Sequence, residues 1–163
     1  MPTTKHYEAF CKKGAKDFDT NIRQREIILA QAENNPNVQK SIMEACAEDV
    51  LFFFNAFCWL YEPRPRKTSS GKKYPSIIPF ITWDHQDPII LAAREAIGYS
   101  DVGIEKSRGE GASWMFILLA LHDWIFEPMS AIGFISRTEL AVDNPDDPDS
   151  LFWKADWELT KLP

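Results

Sequence analysis

The amino-acid sequence predicts an α/β fold in which a helical N-terminal segment, residues 1–63, precedes a parallel β-α-β unit. Two observations lead to this prediction. Apolar residues in the first part recur at helical spacing between helix-breaking signals. The second part contains a short β-branched run, a glycine-containing loop, a long apolar stretch and another β-branched run, in the order that a right-handed parallel crossover requires.

Three helices are expected in the N-terminal segment. The first begins at Asp19 or Thr20, either of which is a favourable N-cap residue. Pro36 suits the first turn of the second helix, which extends to Asp49. The third helix covers DVLFFFNAFCWLY and ends before Pro63. Its aromatic residues are expected in the core rather than on a base-stacking surface, because the run is apolar nearly all round.

Residues 64–76, RPRKTSSGKKYPS, are predicted to form a loop, because proline, serine and glycine punctuate them. The segment contains no acidic residue. Two interpretations stay open: a solvated loop, or a loop whose cations contact nucleic-acid phosphates and displace their counterions. The cations that would make such contacts are Arg64, Arg66, Lys67, Lys72 and Lys73.

The second part of the chain begins at residue 77. A helix is predicted for DPIILAAREAIGY, with Asp87 as N-cap and Gly98 past its end. Strands are predicted at residues 101–107 and 130–136, with the apolar helix ASWMFILLALHDWIF between them. The C-terminal stretch LFWKADWELTKLP predicts a short amphipathic helix whose inward side carries Leu151, Phe152, Ala155 and Leu159.

The loop EKSRGEGASW before the apolar helix has the form of a phosphate-binding loop. In such loops, glycines let the backbone N–H groups and a helix N-terminus converge on an anion. Ser113 stands where a hydroxyl ligand of Mg²⁺ belongs, but Ala112 occupies the usual position of the lysine. Lys106 and Arg108 are the two candidates for the displaced cation. A dinucleotide-binding loop fits less well, because no third glycine follows.

A glutamine upstream of the loop is a candidate for adenine recognition. Gln86 ends the stretch FITWDHQ, and its amide offers a donor and an acceptor that match the N6 and N7 edge of adenine. Trp83 or Phe80 could stack on the base. The alternative is that Gln86 is a surface residue at a helix end.

Composition excludes several classes of protein. The net charge of -6 argues against a wholly basic nucleic-acid coat protein. Three cysteines without C-x-x-C spacing, and three scattered histidines, are typical of reduced core residues and not of a disulfide framework or a zinc site. The N-terminus has no apolar signal-peptide core, and the apolar runs are shorter than the ~20 residues of a membrane span.

Four stretches, in order, resemble the large terminase subunit of tailed bacteriophages, the ATP-driven motor that packages DNA into procapsids. DVLFFFNAFCWLYEPR is similar to its aromatic-rich helical lead-in, and PFITWDHQ looks like its adenine-binding glutamine motif. EKSRGEGASW is similar to its altered Walker A motif, in which the lysine stands at the start of the loop. ISRTELAVDNPDDPDSLFWKADWELTKLP resembles the segment that follows. The likeness covers residues 45–163, and the loop is its most specific part.

The resemblance implies a P-loop NTPase fold that binds ATP and Mg²⁺, and it favours Lys106 as the displaced cation. Ser113 would then be the Mg²⁺ ligand. The residues implied to bind ATP are Trp83, Gln86, Lys106, Ser107, Arg108, Gly109, Glu110, Gly111, Ala112 and Ser113.

The resemblance also implies partners and a location. The partners are double-stranded DNA, the small terminase subunit, the portal protein of the procapsid and further copies of the chain. The location is the cytoplasm of the bacterial host, with no role as a virion structural protein and no membrane contact.

Catalytic residues are not expected within the chain. Residues 77–163 correspond only to the start of an ATPase domain, so the Walker B acid and the nuclease domain would lie beyond Pro163. The nearest internal candidate is Asp143, which is followed by Asn144 and not by glutamate. The chain alone is therefore not expected to hydrolyse ATP. The alternative function is that of a truncated, non-catalytic fragment that acts as a protein-interaction module or recognition target.

Overall fold

The structure is a computed structural model that describes residues 2–63 and 75–163. Within these ranges it is mainly helical, with eight helices and one two-stranded antiparallel sheet. The elements in chain order are α1 (Lys5–Lys12), α2 (Phe18–Ala32), α3 (Pro36–Glu48), α4 (Val50–Phe57), β1 (Trp59–Tyr61), β2 (Ile77–Pro79), α5 (Gln86–Ala96), α6 (Ala112–Phe126), α7 (Glu139–Val142) and α8 (Leu151–Leu159).

The predicted α/β fold, a partial P-loop NTPase built on a parallel β-α-β sheet, is wrong. Neither residues 101–107 nor residues 130–136 form a strand, and the one sheet of the described residues pairs β1 with β2 antiparallel. The physical reason is that a strand needs a neighbour to pair its backbone groups. Residues 101–107 make no backbone–backbone hydrogen bond to another described residue, and in residues 130–136 only the Ser130 N–H makes one, to the Glu127 carbonyl oxygen. Their β-branched residues therefore remain in irregular, largely exposed chain.

Capping residues determine where the N-terminal helices begin. Asp17, and not Asp19 or Thr20, caps α2 by accepting a hydrogen bond from the Thr20 backbone N–H at 3.0 Å. The prediction that Pro36 opens α3 is confirmed. The third predicted helix is too long, because α4 ends at Phe57 and the following residues form β1.

The core is built around α4, and every residue of this helix is buried. The prediction that its aromatic run lies in the core is confirmed. Phe54 packs edge-on against Phe80, with ring centroids 5.7 Å apart. Phe53 packs in the same manner against Phe126 of α6. The core therefore joins residues from both parts of the chain, with Ile90 of α5 also fully buried in it.

Asn55 of α4 connects the core to the segment that precedes α5. Its Oδ1 accepts a hydrogen bond from the Thr82 backbone N–H at 3.0 Å, and its Nδ2 lies 3.0 Å from the Thr82 hydroxyl. Its backbone carbonyl accepts hydrogen bonds from Asn21 and Arg25 of α2. Buried polar groups have no water to replace lost partners. Asn55 therefore fixes residue 82, and with it the start of α5, relative to α2 and α4.

Helix α8 is attached to the sheet by a buried carboxylate. Glu158 is fully buried, and both of its oxygens accept from the Trp59 backbone N–H, at 3.0 and 3.2 Å. The predicted inward face of this helix is wrong in part, because Phe152 and Leu159 are exposed whereas Lys154 and Glu158 are buried. None of the described helices combines the length and the apolar character needed to cross a membrane.

We expect Asn55→Ala to lower the free energy of unfolding by about 1–3 kcal/mol, because it leaves the buried Thr82 N–H and other partners unsatisfied. Chemical denaturation measures the change. Asn37→Ala, at an exposed position of α3, is the matched control and should alter stability far less. Equal effects of the two substitutions would contradict the role given to Asn55.

We expect Glu158 to make stability depend on pH. Burial raises the pKa of Glu158 to about 7, above its unfolded value of 4.5. The folded state therefore holds the proton more tightly, and this group's contribution is fully present at low pH and lost as pH rises through about 7. The stability difference between the wild type and Glu158→Gln should favour the wild type more at about pH 5 than at about pH 8. A difference that stays constant with pH would contradict this.

Candidate functional site

The loop from Glu105 to Gly111 runs directly into the N-terminus of α6. Gly109 and Gly111 have φ angles of 92° and 70°, a left-handed conformation that glycine adopts without strain. Gly111 is the N-cap residue, so it offers no side chain to cap the helix. Residues 112–114 make no backbone N–H hydrogen bond to any described residue. The helix therefore begins with free donors, which is the condition that favours an anion there.

Gln86 holds this loop in place. It is 4% exposed, and its Nε2 donates to the carbonyl oxygen of Glu110 at 3.0 Å. Its Oε1 accepts from the Trp83 backbone N–H at 2.8 Å. The structure therefore brings Gln86 to the loop, although the two residues are 24 positions apart in sequence. The Gln86 side-chain amide therefore positions the backbone of the loop. Its contact with adenine stays a prediction.

Of the two aromatic candidates for base stacking, only Trp83 is accessible. Its side chain is 48% exposed, and its ring lies 5.5 Å from that of His85. Phe80 is buried against Phe54, so a ligand cannot reach its faces. Trp83 also belongs to the same short segment as Gln86, so an exposed ring lies beside the residue that holds the loop.

The predicted cations of the loop are exposed. Lys106 makes one hydrogen bond, from its Nζ to the Ser107 carbonyl oxygen at 3.1 Å. Neither Arg108 nor the Ser113 hydroxyl has a hydrogen-bond or ionic partner among the described residues. Both cations and the hydroxyl thus remain available to a ligand at this loop.

Glu110 places a negative charge within the loop, a role that the sequence did not indicate. Its carboxylate accepts from the Ser107 hydroxyl at 2.8 Å and lies 3.1 Å from His85 Nε2. These hydrogen bonds lower the pKa of Glu110, that from Ser107 most and that from His85 next. The negative charge therefore persists beside Lys106. The contact with His85 joins residues 25 positions apart, so no local pattern could have revealed it.

A second set of residues missed by the sequence prediction supports the start of α5. Lys16 Nζ donates to the Thr82 carbonyl oxygen at 2.5 Å and to Asp87 Oδ2 at 3.2 Å. The Tyr7 hydroxyl donates to the same Asp87 oxygen at 2.5 Å. Desolvation, followed by this hydrogen bond, raises the pKa of Tyr7. Asp87 is thus not the N-cap of α5 but the anchor that joins the helix to the N-terminal part of the chain.

The arrangement fits a phosphate group better than a metal ion alone. Free N–H donors, two exposed cations and a backbone turned by glycine are the features that bind anions. No group of three or more His, Cys, Asp or Glu side chains that could hold a metal occurs in the described residues. Ser113 offers a single hydroxyl, so further ligands of Mg²⁺ would have to come from phosphate oxygens and water.

Two further sequence predictions concern other parts of the chain. The five cations predicted to contact nucleic acid lie in residues 64–74, outside the described residues, so that interpretation stays a prediction. Asp143 follows α7 as its C-cap residue and is exposed.

Comparison with known proteins returned no match: no family model, no curated protein and no solved structure is similar to this chain.

We expect Glu110→Gln to strengthen the binding of a nucleotide phosphate at this loop. The substitution removes a negative charge beside the cations but leaves an amide of similar shape. Because the carboxylate is partly exposed, the gain in affinity should be about two- to fivefold, and it should shrink as salt concentration rises. Isothermal titration calorimetry with Mg-ATP measures it. Glu139→Gln, an exposed acid of α7, is the control; an equal gain there would indicate a net-charge effect only.

Proposed function

We propose that this chain is the N-terminal ATP-binding part of a phage terminase large subunit, the motor that packages viral DNA into procapsids. The observation that carries the proposal is the loop at residues 105–111. Its glycines turn the backbone, and it leads into the N-terminus of α6, which no side chain caps. Gln86 fixes that loop through the Glu110 carbonyl. The sequence resemblance supplies the family, and the local geometry supports anion binding at the same residues.

Each residue has a distinct part in the proposed binding. Lys106 and Arg108 neutralise the charge of the outer phosphates, and the N–H groups at the start of α6 donate to phosphate oxygens. Ser113 provides one hydroxyl ligand for the Mg²⁺ that accompanies the nucleotide. Trp83 stacks on the adenine, since its ring is exposed on the segment that holds the loop. Gln86 keeps loop and ring at a fixed separation.

Binding without turnover is the activity proposed for residues 1–163. Hydrolysis requires an acid that completes the metal site and a group that orients water. Glu110, an acid within the loop, is engaged with Ser107 and His85. The wider proposal follows the family: the complete motor acts on double-stranded DNA with the small subunit and the portal protein, in the cytoplasm of the bacterial host.

A second candidate function is a non-catalytic interaction module, and the surface of the N-terminal helices favours it. A cleft of about 500 Å³ lies between α1 and α3, lined in part by Val38, Ile42 and Phe52. Met43 on α3 and Ile27 on α2 are also exposed apolar side chains. A partner helix could bury these residues without any nucleotide.

Mg-ATP should stabilise the folded chain if the first proposal holds. Ligand at about 100 times its Kd adds about 2.7 kcal/mol to the free energy of unfolding, which raises the melting temperature by several degrees. Lys106→Ala should abolish most of this shift, and Arg108→Ala should reduce it less. Lys40→Ala, at an exposed position of α3, is the control. No shift with the wild type would favour the interaction module, and a larger loss in Arg108→Ala would reassign the displaced cation.

A further inference from the structure

The side-chain amide of Gln86 already binds other parts of the protein, although it is the group expected to recognise adenine. Its Nε2 donates to the Glu110 carbonyl oxygen at 3.0 Å, and its Oε1 accepts from the Trp83 backbone N–H at 2.8 Å. A bidentate contact with the N6 and N7 atoms of adenine needs the same donor and the same acceptor, turned towards the ligand. Gln86 therefore cannot make that contact while it holds the loop.

Burial also separates the Gln86 amide from a bound base. The residue is 4% exposed. Its Nε2 lies 3.5 Å from the position that a Cβ on Gly111 would take, so the amide lies directly against the loop backbone. A base that stacks on the exposed ring of Trp83 would have to displace the loop to reach this amide.

The backbone groups next to the Trp83 ring are likewise used within the protein. The Trp83 carbonyl oxygen accepts from the backbone N–H groups of Gln86 and Asp87, at 2.8 and 3.3 Å. The Thr82 N–H donates to Asn55 at 3.0 Å. A base edge could bind these groups only if the hydrogen bonds that fix the start of α5 were broken.

The polar side chains beside Trp83 are too exposed to select a base. Asp84 is fully exposed and His85 is more than half exposed. An exposed group that loses a contact with a base binds water instead, so a wrong base costs little free energy. Among the described residues, stacking on Trp83 is therefore the main contact that remains for the base.

We propose that this site binds nucleoside triphosphates without selecting the base, with Gln86 as a positioning residue and Trp83 as the contact for the base. The inference rests on the proposed nucleotide function and adds its ligand class. Stacking accepts any base, because every base has a π-face. The phosphate contacts of Lys106, Arg108 and the start of α6 are common to all nucleoside triphosphates. Adenine and guanine are therefore bound alike.

Isothermal titration calorimetry of the whole chain with the Mg²⁺ complexes of ATP, GTP and tripolyphosphate tests this inference. The Kd values of ATP and GTP should agree within about threefold, because both purines stack on Trp83. Tripolyphosphate, which has no base, should bind more weakly. A bidentate amide contact with adenine would instead separate ATP from GTP by about tenfold or more.

Two substitutions separate stacking from positioning. Trp83→Ala removes the ring but keeps the backbone N–H that Gln86 binds, so it should weaken ATP and GTP alike by about tenfold and leave tripolyphosphate unchanged. Trp124→Ala, which changes an exposed tryptophan of α6, is the matched control. Gln86→Met loses both hydrogen bonds at similar side-chain length. It should weaken all three ligands and leave the ratio of ATP to GTP affinity unchanged.

Three results would overturn the inference and leave the proposed function standing. These are affinities for ATP and GTP that differ by about tenfold or more, a Gln86→Met variant that loses ATP but retains GTP, and unchanged nucleotide affinity in Trp83→Ala. If Gln86→Met does not fold, the wild-type comparison and Trp83→Ala still decide. Absence of binding for all three ligands would overturn the proposed function itself, and the inference with it.

Discussion

The buried hydrogen bonds between Asn55 and Thr82 are the interaction on which the arrangement of the candidate site depends. Asn55 lies in a helix that is buried along its whole length, so its position is set by packing. Two hydrogen bonds with Asn55 fix the position of Thr82. Lys16 Nζ donates a further hydrogen bond to the Thr82 carbonyl oxygen. Four residues later Gln86 reaches the loop before α6. These hydrogen bonds thereby link an otherwise exposed loop to the packed core.

The loop is suited to a ligand because its own chain leaves the helix terminus unsatisfied. A helix start that is capped by a serine or aspartate side chain has used one of its donors, as Asp17 does for α2 and Ser150 for α8. Gly111 provides no such group at α6. Glu110 places a negative charge within the loop, but it contacts Ser107 and His85. An arriving phosphate would therefore compete with exposed hydrogen bonds of Glu110 and not with a buried ion pair.

Local signals in the sequence predicted α2 to α6 and α8 approximately, missed α1 and α7, and predicted the strands wrongly, for a physical reason. Helix hydrogen bonds lie within one segment, so Pro36 and the aromatic run of α4 were sufficient to indicate α3 and the core. A strand depends on a partner elsewhere in the chain, and residues 101–107, which include the β-branched Val102 and Ile104, have none among the described residues. The presence of a loop before α6 was predictable because its glycines are a local signal. Lys16, His85 and Glu158 were not, since each acts through a residue at least 25 positions away.

We expect phosphate to bind where the loop meets α6, and the chemical shifts of the loop amides report such binding. Titration of the ¹⁵N-labelled chain with Mg-ATP should shift the amide resonances of residues 109–114, together with the indole N–H of Trp83. The N-terminal cleft near Phe52 should remain unchanged. Saturable shifts confined to this loop and Trp83 are the predicted result. Shifts confined to the cleft, or no saturable shift at the loop, would contradict phosphate binding at the start of α6.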